Sequence, residues 1–176
     1  MLKLTDKFWS ELSTHKGDAT WVPDWLSKLG RDSENIELFN EGCYCLWSDE
    51  NTWSAAFAAA PHLIEIGAKT LPKIQIEYVK LVGLMAMYRT RPGWKGDHLA
   101  CPPELENDFE MALGQAAILA AKLLLMRWND DDTLMLLASL AAFKGYLPIA
   151  RAIEAGGIIC PRCDEVVNAP RYRYDV

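Results

Sequence analysis

The chain has no apolar run long enough to cross a bilayer. The longest, such as residues 116–121, fall far short of the ~20 residues such a helix needs. An excess of basic residues is missing too. With 18 Lys and Arg against 24 Asp and Glu, the formal net charge is −6, which argues against nonspecific nucleic-acid or anionic-membrane binding and favours small molecules or basic protein partners. Met1 to Ser10 carries Lys3, Asp6 and Lys7 among its apolar positions and lacks the apolar core of a cleavable signal peptide. Cysteines number five, an odd count in an acidic, Trp-rich chain. The expectation is a cytoplasmic protein with free thiols or a metal fragment rather than a disulfide framework. No phosphate-cradling P-loop, Rossmann glycine pattern, His-Glu-x-x-His or Gly-x-Ser-x-Gly occurs, so an enzyme is not expected.

What is present is helix. At 176 residues, 51% hydrophobic and 24% charged, the chain has the length of one folded domain and enough apolar surface for a sizeable core. The organising stretch is Thr52 to Gly67. There Trp53, Ala56, Phe57, Ala60, Leu63, Ile64 and Gly67 step by three and four along one helical face. Alanine dominates that face, so another helix can approach closely. Pro61 removes a backbone N–H from mid-helix, leaves the Phe57 carbonyl without its usual donor and is expected to bend the axis.

Around this helix the spacing predicts others. Leu4 to Thr14 reads as a first helix capped by Thr5, with Phe8, Trp9 and Leu12 on one stripe. Pro23 opens a short second one carrying Trp25, Leu26 and Leu29 and stopped by Gly30. Asp32 or Ser33 caps a third with Ile36, Phe39, Cys43 and Leu46 or Trp47, and Asn51 or Thr52 caps the organising helix. Residues 73–88 form a helix apolar on most sides. Arg89 to Pro103, with three prolines and two glycines, reads as an irregular loop of unusual length. Leu105 begins the longest helix, stepping through Phe109, Ala112, Ala116, Leu119 and Leu123 to Met126. Asn129 to Asp132 starts the next, carrying Leu134, Leu137, Ala138 and Ala141, and Pro148 opens a short successor. Ile158 to Val167 reads as a small hairpin with a Cys-x-x-Cys knuckle. The expected fold is all-α: about eight helices in hairpin succession, solenoid-like or an irregular bundle. The helical domain covers residues 1–157, with the hairpin and tail in 158–176.

Four groups of residues carry candidate chemistry. His62 follows the proline, and with no nucleophile or acid placed beside it by sequence it reads as bonding a carbonyl freed by the kink, or a neighbouring helix. Cys160 and Cys163 make half of a tetrahedral zinc site. Cys43 and Cys45, the nearest approach to a second pair, point apart at helical spacing, so a metal-free turn is the favoured reading. Arg89, Arg91, Trp94, Lys95 and His98 form a basic, aromatic loop that either seats an anionic group or covers helix ends. Asn129, Asp130, Asp131 and Asp132 lack the glycine and terminal glutamate of a calcium loop and suit a helix start, as do Asp49 and Glu50. Both acidic clusters sit at inter-helix turns. Exposed along one edge, they would form a negative patch for a basic partner.

The run Trp53-Ser54-Ala55-Ala56-Phe57-Ala58-Ala59-Ala60-Pro61-His62-Leu63 resembles a motif of a bacterial family of small HEAT-like proteins: an aromatic, small residues, an aromatic, then Ala-Ala-x-Pro-His-Leu. A second likeness runs from Leu140-Ala141-Ala142-Phe143-Lys144-Gly145 through Ala150 to Glu154 and on to Cys160-Pro161-x-Cys163. Trp53 stands where Tyr is usual, and Arg162-Cys163-Asp164 lacks the glycine that often follows the second cysteine, which counts against a tight metal knuckle. Proteins of this kind are often toxin-neutralising immunity proteins. The resemblance therefore implies HEAT-like hairpin repeats and a binding scaffold, and supplies no catalytic residue. The expectation is occlusion of a basic toxin domain by Asp49, Glu50, Trp94, Asp130, Asp131 and Asp132, without a cofactor, with zinc at Cys160 and Cys163 the exception to test. The alternative is a helical-repeat nucleic-acid-binding protein or a DNA glycosylase-like enzyme, which needs a basic groove holding an acid.

Overall fold

A computed structural model describes residues 1–48, 51–89, 101–159 and 166–167. Among them are seven α-helices, one 3-10 turn and three two-stranded antiparallel ribbons. The helix expected over Leu4 to Thr14 is the 3-10 turn, Lys7–Glu11. Asp6, rather than Thr5, caps it by accepting from the Phe8 N–H at 2.9 Å. The chain then becomes extended because Ser13 and Thr14 have better partners outside a helix. The Ser13 N–H donates to Ser54 Oγ at 2.8 Å, and Thr14 Oγ1 donates to the Gly17 carbonyl at 3.1 Å. Strand β1 (Ser13–Thr14) therefore pairs with β2 (Gly17–Asp18) across a turn where Gly17 holds φ +117°. Trp9 and Leu12 are buried as expected.

Helix α1 (Val22–Arg31) carries Pro23 in its first turn, runs through Gly30 and buries Trp25, Leu26 and Leu29. Helix α2 (Ile36–Leu46) is capped by Asn35, whose side chain accepts from the Leu38 N–H at 3.0 Å. Asp32, expected as the cap, instead accepts from the Asn35 amide at 2.9 Å. The Trp25 indole donates to the Leu38 carbonyl at 2.8 Å, and Gly42 lies directly under its ring.

Strands β3 (Trp47–Ser48) and β4 (Asn51–Thr52) form a second ribbon before α3 (Ser54–Gly67). Asn51 and Thr52 thus belong to a strand and do not cap. Thr52 spends its hydroxyl on the Met85 carbonyl, 3.0 Å away in α4 (Pro72–Met87). The organising helix is buried far beyond the face read from spacing. Every residue from Ser54 to Pro61 is buried, and only Glu65 is exposed. Helices α5 (Pro103–Leu123), α6 (Asp130–Phe143) and α7 (Leu147–Glu154) follow, and β5 (Ile158–Ile159) pairs with β6 (Val166–Val167) in the expected hairpin.

Helix α3 packs between α1 and α5. On its other side α4 packs against α3, α5 and, most extensively, α6, and α7 lies against α6. Two stripes differ from expectation. Met126 lies beyond the end of α5 and is exposed. In α6, Leu134 and Leu137 face solvent while Leu136, Ser139, Ala142 and Phe143 face inward. Residues 134–137 are all apolar, so hydrophobic spacing could not choose the buried side.

A methyl group at residue 42 would lie 2.1 Å from Trp25 Cε2. Gly42→Ala is expected to cost roughly 1–3 kcal/mol by overpacking. A thermal melt should show this as a fall of several degrees in Tm.

Candidate functional site

The acidic turn at the start of α6 first does what its sequence suits. Asn129 caps the helix by accepting from the Asp132 N–H at 2.7 Å, and Asp130 to Asp132 occupy the first turn, where the helix dipole favours carboxylates. Asp130 and Asp131 are exposed. Asp132 also pairs with Lys80 on α4, and Lys80 reaches Glu77 at 3.1 Å. Burial works against the Lys80 charge, yet these two carboxylates outweigh it and hold its pKa above the ordinary lysine value. Lys80 is thus a fixed cation clamped by two acids. The other expected binding residues, Asp49, Glu50 and Trp94, lie outside the described residues, as do Cys160 and Cys163.

This clamp borders a groove of about 760 Å³ between α2, α4, α6 and α7. Phe39, Cys43, Leu81, Leu84 and Met135 give it an apolar floor, and Tyr44, Trp47, Glu77, Lys80 and Glu154 supply its polar groups. Tyr44 is 56% exposed, a large aromatic surface left open to solvent. The Trp47 indole N–H is buried and finds no hydrogen-bond partner among the described residues.

The far wall of the groove is held by α7. The Arg151 guanidinium donates twice to the Met87 carbonyl, at 3.0 and 2.8 Å, placing a cation at the C-terminal end of α4 where the helix dipole favours it. The same guanidinium lies 5.5 Å from the Tyr88 ring centroid, and the Tyr88 hydroxyl donates to Glu154 at 3.0 Å.

The groove is poor in reactive groups. Burial, with Glu77 nearby, pushes the Cys43 thiol far up, so it stays protonated and weakly nucleophilic. Cys101, elsewhere, is pushed up to about 11 by burial. No group of three His, Cys, Asp or Glu side chains converges to hold a metal ion among the described residues. No helix among them is long and apolar enough to cross a membrane.

Sequence reasoning missed the groove because five separate elements build it. One signal was legible: Glu77 and Lys80, three residues apart, share one face of a helix that is apolar on most sides. His62 is tied elsewhere. Its Nε2 lies 2.9 Å from the carbonyl of Leu2, 60 residues away in sequence, so it anchors the N-terminal segment rather than a kink carbonyl or a neighbouring helix. No family model, curated protein or solved structure matches this chain.

The carbonyl can only accept, so neutral His62 carries its proton on Nε2. Burial is the largest influence on the ring and lowers its pKa below 6.5, despite the Leu2 contact, Glu65 and Asp108, which favour the cation; the N-terminal ammonium adds to the lowering. The unfolded chain therefore takes up a proton that the folded chain resists. The contribution is fully present above the ordinary histidine pKa and is lost as pH falls through it. Tm should fall between about pH 7 and pH 5. His62→Gln, which retains a donor and does not titrate, should flatten that slope.

Proposed function

We propose that this chain is a non-enzymatic helical scaffold that binds a basic protein segment in the groove between α2, α4, α6 and α7. The carrying observation is the groove's composition among the described residues: an apolar floor, an open Tyr44, and the carboxylates of Glu77 and Glu154 beside the ammonium of Lys80, which Asp132 pairs from α6. Such a surface suits a loop that presents Arg or Lys beside an apolar or aromatic anchor. A phosphate backbone needs clustered cations, and Lys80 is already paired with two acids. A protonated Cys43 and a clamped Lys80 favour binding over catalysis.

The packing supports the scaffold reading further. Helices α3 and α4 make one antiparallel hairpin and α5 and α6 the next. Helix α3 meets α5 while α4 meets α6, the neighbour pattern of stacked hairpin repeats. Taken with the Ala-Ala-x-Pro-His-Leu motif, this favours a HEAT-like scaffold acting as an immunity protein that occludes the basic active face of a toxin domain. In this reading Asp130 and Asp131 form the outer rim, and the acids of the groove neutralise the partner's cations.

The test is co-purification with the product of a neighbouring gene that encodes a basic toxin domain. Affinity should weaken with added salt, and the toxin's activity should be lost in the complex. Tyr44→Ala and Glu77→Gln should each weaken binding by about tenfold, corresponding to ~1.4 kcal/mol. Failure to bind such a product, or binding that is indifferent to salt and to both substitutions, overturns the reading.

A further inference from the structure

Helix α5 closes one side of the layer it forms with α3 and α1, and its outward face is unlike that of an end helix. Terminal units of stacked arrays normally turn a polar face to water. Here Met111 and Ile118, seven residues apart and so on one side of the helix, are 54% and 62% exposed. Leu125, 88% exposed, follows in the turn just beyond the helix end. Gly114 and Ala121 share the face of Met111 and Ile118 and are also exposed, and beyond the helix's own backbone no described residue brings a heavy atom within 4 Å of the Cβ position at Gly114. The face is a row of large apolar side chains separated by gaps. Its charges are segregated, with Glu104 and Asp108 at the N-terminal end and Lys122 at the other. Asp108 also pairs with the N-terminal ammonium at 2.6 Å.

We propose that a second copy of this chain covers this face, the two α5 helices running antiparallel about a two-fold axis at the level of Ala116. In that register Ile118 of each copy enters the gap at Gly114 of the other, and Met111 lies over Ala121. Large side chains meet small ones on both sides of the axis. Lys122 comes beside Asp108 and toward Glu104 of the other copy. Parallel pairing would set acid against acid and lysine against lysine, and would align the helix dipoles unfavourably. The two-fold contact is self-complementary and closed, so the exposed apolar row is used up without propagating into fibres. The pairing shares no residue with the groove and stands independently of the partner-binding reading.

Light scattering or sedimentation equilibrium of the purified full chain across the micromolar range should find a species of twice 19.8 kDa. Ile118→Asp should raise the dimer dissociation constant by at least about tenfold and yield the single-chain mass. Gly114→Leu should do the same. It fills the gap the other copy needs, yet beyond the helix backbone its Cβ meets none of the described residues, so the circular dichroism spectrum should be retained. If Ile118→Asp misfolds, Gly114→Leu decides alone. A wild-type chain that stays at the single-chain mass at the top of the range, or a dimer that persists in Gly114→Leu, overturns the proposal.

Discussion

The structure depends on one constraint: α3 is packed on all sides through Pro61 and on most of them beyond it, and it can be because it is made mainly of small residues. Five of its fourteen residues are alanines, so helices approach its backbone from α1, α4 and α5 at once. A bulkier central helix would hold those neighbours apart and open voids that the chain lacks side chains to fill. The same economy recurs where α3's neighbours meet other elements. Gly67 lets Tyr78 of α4 lie against α3, Gly83 lets Ser139 of α6 lie against α4, and a Cβ at either glycine would come within 3 Å of that neighbour. Pro61 is tolerated within this packing, although it removes a donor from a helix that is cut off from water. The N-terminal segment closes over the following turn by bonding to His62.

With the backbones this close, polar links choose which surfaces meet. Tyr78 reaches across to the Ser33 carbonyl at 2.8 Å, Thr52 to Met85, Arg151 to Met87, and Lys80 to Asp132. All four bonds end on α4, which is therefore both the second layer of the core and the floor of the groove. Partly buried ion pairs contribute little net stability, because desolvation offsets attraction. Their effect here is positional. The Lys80 clamp sets where α6 begins relative to α4 and so fixes the width of the groove.

Much of this architecture was legible in the sequence, for a physical reason. The face of α3, the extent of α4, the Asn129 cap and the final hairpin each rest on local spacing or turn chemistry. What was not legible depended on choices that local pattern cannot make. Residues 134–137 are apolar on every side, so only contact with α4 and α7 decides that Leu136 goes in and Leu134 out. Thr52 and Ser13 carry residue types that suit helix ends, and each is drawn off by an acceptor or donor tens of residues away. The candidate site follows the same division. Asp130 to Asp132 could be read as a cap from their neighbours alone, whereas the pairing of Asp132 with Lys80, which lines the groove, spans 52 residues. Tyr44, off the buried stripe of α2, gave no signal that it would border a concave surface.

The groove and the open face of α5 share no residue, and their chemistry differs. The groove carries fixed charges on an apolar floor, a surface that disfavours a second copy of an acidic chain by repulsion and, in the function proposed above, suits a basic one. The α5 face carries its acids and its lysine at opposite ends, so it repels an unrelated acidic surface in one half but complements its own reversed image throughout. Two surfaces that select different partners by charge layout can be occupied together. Pairing along α5 would then place two grooves in one assembly. Against a partner tethered in more than one copy, that doubles the points of attachment and raises avidity without changing any single contact.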